Sequence, residues 1–152
     1  MDPFPYQPTG RHPSQEPLVI QTQTRALLFP QDYGRLTFPA TALYDSSDPY
    51  AVQIRFPTLD PRHPATSWTF ARELLAKGLD TCAGEGDVHL CPHDAWWTRL
   101  RLRGRTGTAL LLLERTPLQR FVDDIYHWVP QGQEHGLLRL DEVLAQILGE
   151  AS

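Results

Sequence analysis

Hydrophobic and polar side chains alternate along two stretches of the chain, and this alternation predicts strands with one buried face. In the first stretch the apolar positions are Tyr50, Val52, Ile54 and Phe56, separated by Ala51, Gln53 and Arg55. A spacing of two residues puts every apolar side chain on the same face of a strand. The turn-forming residues Asp45–Pro49 come directly before, so residues 40–56 are predicted to form a hairpin.

The second alternating stretch predicts another hairpin. Thr98, Leu100 and Leu102 alternate with Trp97, Arg99, Arg101 and Arg103, residues Gly104–Gly107 supply the turn, and Thr108–Leu113 form the return strand. Further extended segments are expected at Leu18–Phe29, at Arg35–Leu43 around Pro39, and at Val88–Cys91 after the Gly84–Asp87 loop.

Helical spacing predicts three helices. The first covers Ala71–Lys77, with Gly78 as its left-handed C-terminal cap. The second begins with Thr116 as N-cap and Pro117 at the first helical position, with Gln119 completing a capping box. Its apolar stripe contains Leu118, Phe121, Val122, Ile125 and Val129. The third begins near Asp141 and buries Val143, Leu144, Ile147 and Leu148.

These elements predict an α+β fold with antiparallel β-sheets and about three helices. A length of 152 residues suits one domain, which we place at residues 18–149. Residues 1–17 contain five prolines and few apolar side chains, so they are expected to form a disordered extension. No apolar stretch approaches the length of a membrane span, and no signal pattern is seen at the start.

Charge and cysteine content narrow the possible functions. The net charge of −4 disfavours a strongly nucleic-acid-binding domain. The two cysteines, Cys82 and Cys91, are too few for a disulfide framework, and we expect them to be reduced thiols. Reduced thiols fit a cytoplasmic location.

No residue pattern predicts catalysis, a metal or a cofactor. Cys82, His89, Cys91 and His93 are potential zinc ligands, but zinc sites rarely take three ligands from alternate positions of one strand. The adjacent Asp123 and Asp124 diverge by about 100° on a helix and cannot act as a pair. We therefore expect a protein that is not an enzyme and binds no cofactor.

The arginines of the second hairpin leave an alternative open. Arg99, Arg101 and Arg103, beside Trp97, could hold single-stranded nucleic acid through phosphate contacts and base stacking. A solvated outer face, or a surface that contacts an acidic protein, would show the same alternation of arginines.

Four motifs together resemble one family. Tyr44–Val52 resembles the Y-D-x-x-D-P-Y-A-V signature of the SsgA-like sporulation and cell-division proteins of actinobacteria. Trp68–Leu79 is similar to that family's W-x-F-A-R-D-L-L-x-x-G-L, with Glu73 in place of the aspartate. Gly84–Val88 fits G-x-G-D-V, and Val129–Glu134 fits V-P-x-G-x-E. The resemblance extends from about Leu18 to Leu148, with the motifs in the family's order.

The resemblance implies a non-enzymatic regulator that helps to place or time sporulation septa through protein contacts. One branch of the family recruits the division protein FtsZ, so FtsZ, other division proteins or other family members are the implied partners. The implied location is the cytoplasm, with recruitment to the division septum. The family fold is similar to Whirly-type and mitochondrial guide-RNA-binding proteins and forms a trimer, so single-stranded nucleic-acid binding is the alternative function.

The motif residues differ in what their chemistry predicts. Gly132, with Pro130 and Glu134, is the candidate protein contact, because a glycine in an exposed turn permits close approach of a partner. The other motif residues are expected to be mainly structural, with Asp48 capping the turn through its side chain: Tyr44, Asp45, Asp48, Pro49, Tyr50, Trp68, Phe70, Arg72, Gly78, Gly86 and Asp87.

Overall fold

A computed structural model describes residues 17–30, 34–58 and 64–134, together with Ile147. Within these residues the chain forms eight strands and two helices. The strands are β1 (Val19–Leu28), β2 (Leu36–Asp45), β3 (Ala51–Phe56), β4 (Thr66–Ala71), β5 (Ala83–Glu85), β6 (Val88–Pro92), β7 (Trp97–Gly104) and β8 (Gly107–Glu114). The helices are α1 (Arg72–Gly78) and α2 (Arg115–Trp128).

All eight strands belong to one antiparallel sheet with the order β4-β3-β2-β1-β8-β7-β6-β5. Strands β1–β4 form one meander and β5–β8 form another. The two meanders join where Ala26, Leu27 and Leu28 of β1 pair with Leu113, Leu112 and Leu111 of β8. The first strand in the sequence therefore lies in the middle of the sheet.

The sheet curls, so that strands distant in its order approach each other. Trp68 of the edge strand β4 lies 3.9 Å from the position that a Cβ on Gly104 of β7 would take. The inner face carries small side chains at its centre, including the fully buried Ala26, Ala40 and Ala42. Helix α2 packs on this face through the buried Leu118, Phe121, Val122 and Ile125, in agreement with the predicted stripe.

The predicted α+β class with an antiparallel sheet is confirmed. The two described helices match the first two predicted. Of the third, only Ile147 lies among the described residues; it is helical but 57% exposed, so its predicted burial is wrong. The predicted extension at residues 1–17, apart from Pro17, and the domain end at residue 149 also lie outside them and stay predictions. Neither described helix has the length and hydropathy needed to cross a bilayer.

The helix ends differ from the prediction. Helix α2 begins at Arg115, directly after β8, and its N-cap residue Glu114 makes no side-chain capping bond. Thr116 is therefore inside the helix, and Gln119 donates to Asp123 at 3.1 Å instead of completing a capping box. At the end of α1, Gly78 is helical, without a positive φ. Glycine is required there because an added Cβ would collide with the side chain of Leu90.

The first hairpin forms as predicted except at its start. Val52, Ile54 and Phe56 are buried, but Tyr50 precedes β3 and its side chain is 41% exposed. The prediction that Tyr50 begins the core-facing alternation is therefore wrong. Strand β4, which carries Trp68 and Phe70, was not predicted, because its alternation contains only these two apolar side chains and neither is fully buried.

The two cysteines form a disulfide, against the expectation of reduced thiols. The β5–β6 hairpin pairs Ala83 with Leu90, so Cys82 and Cys91 are the next opposed pair, with Cα atoms 4.1 Å apart. This distance is typical of close cross-strand neighbours. The prediction failed because it assigned residues 84–87 to a loop and did not foresee β5.

Candidate protein-contact site

The chain makes an exposed turn directly after α2. Val129 is buried and its N–H donates to the Ile125 carbonyl, which ends the helix before Pro130. Gln133 N–H then donates to the Pro130 carbonyl at 3.0 Å and closes the turn. We call residues 129–134 the contact turn. Gln131, Gly132 and Gln133 are exposed, so the backbone at its tip is accessible.

Gly132 has a backbone conformation that side chains disfavour. Its φ is +92°, and a Cβ built on it would meet no atom within 4 Å. The requirement for glycine therefore comes from the backbone angle and not from crowding. Open space around the tip leaves room for a partner.

Glu134 fixes the contact turn from beneath. Its side chain is 10% exposed, and Oε1 accepts a hydrogen bond from Gly132 N–H at 2.6 Å. Its other oxygen, Oε2, lies 2.6 Å from Nη2 of Arg72, whose side chain is 2% exposed. Glu134 therefore points inward and holds the turn, so its side chain is not the partner contact that the sequence predicted, while Gly132 and its neighbours face outward.

Arg72 ties the contact turn to the first helix and to the core. Its Nη1 donates to the Val129 carbonyl at 2.8 Å, so the arginine binds both ends of the turn. Its guanidinium lies 4.2 Å from the ring centroid of Tyr126 and 5.9 Å from that of Tyr44. Buried charges need such partners, because an unpaired ion in the interior is very costly.

The electrostatics of this cluster favour the ion pair. Burial by itself would raise the pKa of the Glu134 carboxyl. The carboxylate accepts hydrogen bonds from Arg72, from the Glu134 backbone and from Gly132, and it is attracted by the arginine charge. Together these outweigh burial, so the pKa of Glu134 lies below its ordinary value. Burial raises the pKa of Tyr44 and Tyr126 against the opposing charge of Arg72, so both phenols stay neutral near pH 7.

Three of the four sequence motifs meet at Arg72. The hydroxyl of the fully buried Tyr44 donates to the Pro49 carbonyl at 3.1 Å. Arg72 N–H donates to the Tyr50 carbonyl at 2.8 Å, which joins the start of α1 to the same turn. The first, second and fourth motifs therefore build one cluster beneath the contact turn.

The turn before β3 is capped by a different aspartate from the one predicted. Oδ1 of Asp45 accepts hydrogen bonds from the N–H and the hydroxyl of Ser47, at 2.9 and 2.8 Å. Asp48 is exposed and takes part through its backbone, where its carbonyl accepts from Ala51 N–H at 3.2 Å. Pro49 is buried.

The remaining motif residues lie away from the contact turn. Trp68 and Phe70 of β4 are half-buried and pack against the core. Gly86 turns between β5 and β6 with φ +66°. Asp87 is exposed, and its carboxylate lies 3.6 Å from Nε of Arg103.

Strand β7 carries the predicted basic face. Arg99, Arg101 and Arg103 are exposed while Thr98, Leu100 and Leu102 are buried, as the alternation predicted. Trp97 is half-buried, and the Arg25 guanidinium lies 5.8 Å from its ring centroid. Arg25 in turn pairs with Glu114 at 2.9 Å.

The sequence did not predict the Arg72–Glu134 pair or the part played by Tyr126. The only local signal was an arginine at the predicted start of a helix, beside apolar motif residues. The two partners lie on different motifs and meet only when α1 and the end of α2 pack together.

Residues 38–134 match the model of the family described as "Streptomyces sporulation and cell division protein, SsgA". The chain belongs to the SsgA family. The matched region begins in β2 and ends at Glu134, so it includes the whole cluster around Arg72. The resemblance drawn from the four motifs is confirmed.

Relatives within the SsgA family cover most of this chain. The sporulation-specific cell division protein SsgB of Salinispora tropica is 36% identical in an alignment of 138 positions that covers 87% of this chain and 94% of that protein. SsgB of Streptomyces coelicolor is 38% identical over 119 residues, 76% of this chain and 85% of that protein.

Solved structures of SsgA-family proteins share the fold. An SsgA-like sporulation-specific cell division protein from Thermobifida fusca superposes with a TM-score of 0.75 at 30% identity, covering 85% of this chain and 95% of that one. SsgB of Streptomyces coelicolor, described with mutations that correlate to longitudinal cell division during sporulation, gives 0.72 at 31% identity, covering 80% and 96%.

Proposed function

We propose that this protein regulates sporulation-specific septation through protein contacts made by the contact turn. The observation that carries the proposal is the match of residues 38–134 to the sporulation and cell-division family. Relatives that align with most of the chain are named sporulation-specific cell division proteins. Protein contacts need no catalytic group, so the protein acts without chemistry of its own and without a cofactor.

The geometry of the contact turn supports its role as the contact. An exposed glycine lets a partner approach the backbone closely. The ion pair beneath holds that backbone in one conformation, so little conformational entropy is lost on binding. A rigid, accessible turn suits recognition of a folded partner.

The partners in this proposal are proteins of the division septum, with FtsZ or another SsgA-family protein as candidates. The protein is cytoplasmic in this proposal and is recruited to the septum by that contact. The Cys82–Cys91 disulfide gives no support to a reducing compartment, so this location rests on the family resemblance, as do the partners. Recruitment to the septum is therefore the property to measure.

Assembly into a trimer with a Whirly-like arrangement of sheets belongs to the same proposal. The strands β4 and β5 end the sheet on its two sides and carry backbone groups that another copy could pair with. Light scattering over a tenfold concentration range should report three times the chain mass. A monomer over that range would contradict the trimer and leave the septation role standing.

The decisive test replaces Gly132 with valine in a fluorescent fusion expressed in sporulating cells. Valine at φ +92° distorts the tip of the turn. Gly34→Val is the matched control, because Gly34 has φ +69° and open space around it, and lies far along the chain from the turn. We expect Gly132→Val to lose septal recruitment and Gly34→Val to keep it.

Melting temperature and oligomeric state of both purified variants separate a contact defect from a folding defect. If Gly132→Val is folded and is recruited like the parent, the contact turn is not the contact. If the parent fusion is spread evenly through sporulating cells, the septation proposal fails, and single-stranded nucleic-acid binding becomes the leading function.

A further inference from the structure

A second surface of the molecule, on the outer face of the β5–β8 meander, has a charge pattern that needs explanation. An open cavity of about 310 Å³ lies there, lined by His89, Cys91, Arg99, Arg101 and Leu110. In the register of the sheet, Arg99 pairs with Cys91 and Arg101 with His89. We call these five residues the arginine face.

No side chain that the structure describes neutralises the positive charges of the arginine face. Among the described residues, no carboxylate lies within ion-pair distance of Arg99 or Arg101, although Arg25, Arg103 and Arg115 each have one. Arg101 is also opposed by Leu110, which is 50% exposed. Two arginines beside a half-exposed leucine form a surface that attracts anions with some apolar character.

The spacing of the arginines matches that of an extended peptide. Residues two apart on an antiparallel strand lie about 6.8 Å from each other and face the same way. An extended peptide presents every second side chain at the same interval, so two of its carboxylates can reach Arg99 and Arg101 together. The hydrocarbon stem of a glutamate can then pack against Leu110.

Single-stranded nucleic acid fits the arginine face less well. Binding of that kind combines a basic track with exposed aromatic rings on which bases stack. Here Arg103 is already paired with Asp87, and Trp97 is half-buried beneath Arg25. Trp96 is 70% exposed, but it precedes β7 and does not line the cavity of the arginine face. Glu114, the partner of Arg25, adds a negative charge beside the tryptophan.

We propose that the arginine face binds an extended acidic segment of a partner protein, in which acidic side chains recur at alternate positions. The site uses a different surface from the contact turn, and it stands or falls independently of the septation proposal. Binding needs no structural change in the sheet, because Arg99 and Arg101 already project from the same face of β7.

The test is fluorescence anisotropy with the whole chain and a labelled peptide of about twelve residues in which glutamate alternates with serine. A control peptide with glutamine in place of every glutamate has the same length but no charge. Labelled oligothymidylate represents single-stranded nucleic acid. The variant is Arg99→Ser/Arg101→Ser. The matched control is Arg55→Ser/Arg120→Ser, which removes the same charge from two exposed arginines outside the face.

We expect the glutamate peptide to bind the parent and the control equally and to bind the variant about tenfold more weakly. Binding should weaken with added salt, and the glutamine peptide should not bind. Circular dichroism melts of both variants should match the parent.

Four results would overturn the proposal. The glutamate peptide fails to bind the parent, or binds the Arg99→Ser/Arg101→Ser variant as well as the control. Oligothymidylate binds more tightly than the peptide through the same two arginines. The variant shows a changed molar mass by light scattering, which would assign the arginine face to contacts between copies of the chain.

Discussion

Arginine is used in opposite ways in two regions of this molecule. Beneath the contact turn, Arg72 is 2% exposed and is held by Glu134, the Val129 carbonyl and the Tyr126 ring. On the arginine face, Arg99 and Arg101 are exposed and have no acidic partner among the described residues.

The difference shows that burial decides whether an arginine stabilises the fold or is available to bind another molecule. A buried arginine has to be paired within the chain, so it fixes structure and is not accessible to a partner. An exposed arginine contributes little to folding and keeps its charge for another molecule. Substitutions that change one region and leave the other intact test this difference.

The largest effect is expected for Arg72→Met. The substitution keeps much of the side-chain volume but leaves the Glu134 carboxylate buried without its partner. Breaking a buried ion pair in this way costs about 3–5 kcal/mol. Urea denaturation followed by circular dichroism should show this loss, while Arg55→Met, on an exposed position, should stay within about 0.5 kcal/mol of the parent.

A double variant sharpens the same point. Replacing both partners, as Arg72→Met/Glu134→Leu, removes the unpaired charge and should recover much of the lost stability. If the single variant denatures at the same urea concentration as the parent, Arg72 is not the anchor described here.

A smaller effect is expected from breaking the Cys82–Cys91 disulfide, which braces the hairpin that carries part of the arginine face. The bond closes a loop with a sequence separation of 9, and a cross-link of that size contributes about 2–3 kcal/mol by restricting the unfolded chain. Dithiothreitol should lower the urea midpoint of the parent. Dithiothreitol should not change the urea midpoint of Cys82→Ser/Cys91→Ser. An equal fall in the midpoints of both proteins would argue against the disulfide.

Acid should weaken the contact-turn region before it affects the arginine face. The pKa of Glu134 is lower in the folded protein than its ordinary value of 4.5. The stability that Glu134 contributes is therefore complete above about pH 4.5 and is lost as pH falls through the lower folded pKa. Urea midpoints measured between neutral pH and pH 3 should fall less steeply for Glu134→Gln, and parallel curves would contradict this assignment.

The smallest effect on stability is expected on the arginine face itself. Arg99→Ser and Arg101→Ser remove exposed charges without buried partners, so each should change the free energy of unfolding by less than about 0.5 kcal/mol. Thermal melts check this directly. A loss comparable to that of Arg72→Met would mean that both regions serve folding, and the contrast between them would disappear.

Sequence patterns predicted the fold best where one face of a strand or helix is buried and the other is exposed to solvent. The alternation in β3 and β7 and the stripe on α2 gave the correct buried positions. The pattern failed at β4, whose residues are exposed or half-exposed, and at the start of α2, where no capping side chain marks the boundary.

The candidate sites were predictable to a similar, partial extent. Proline and glycine in Val129–Glu134 predicted a turn, and alternation placed Arg99 and Arg101 on one face. The partners of Arg72 were not predictable, because Glu134 and Tyr126 reach it only after distant segments pack. The pairing of Cys82 with Cys91 was missed for the related reason that it depends on the register of an unforeseen hairpin.

The pairing of β1 with β8 has a consequence for how the chain folds during its synthesis. Strand β1 leaves the ribosome early, and its partner β8 follows only after the other strands have been synthesised. Until then, the nascent β1–β4 meander has unpaired N–H and C=O groups along the β1 edge. The last event in assembling the sheet is therefore a long-range closure through three residue pairs, which is slow compared with forming either meander. A newly made chain that meets another at this stage could exchange halves with it.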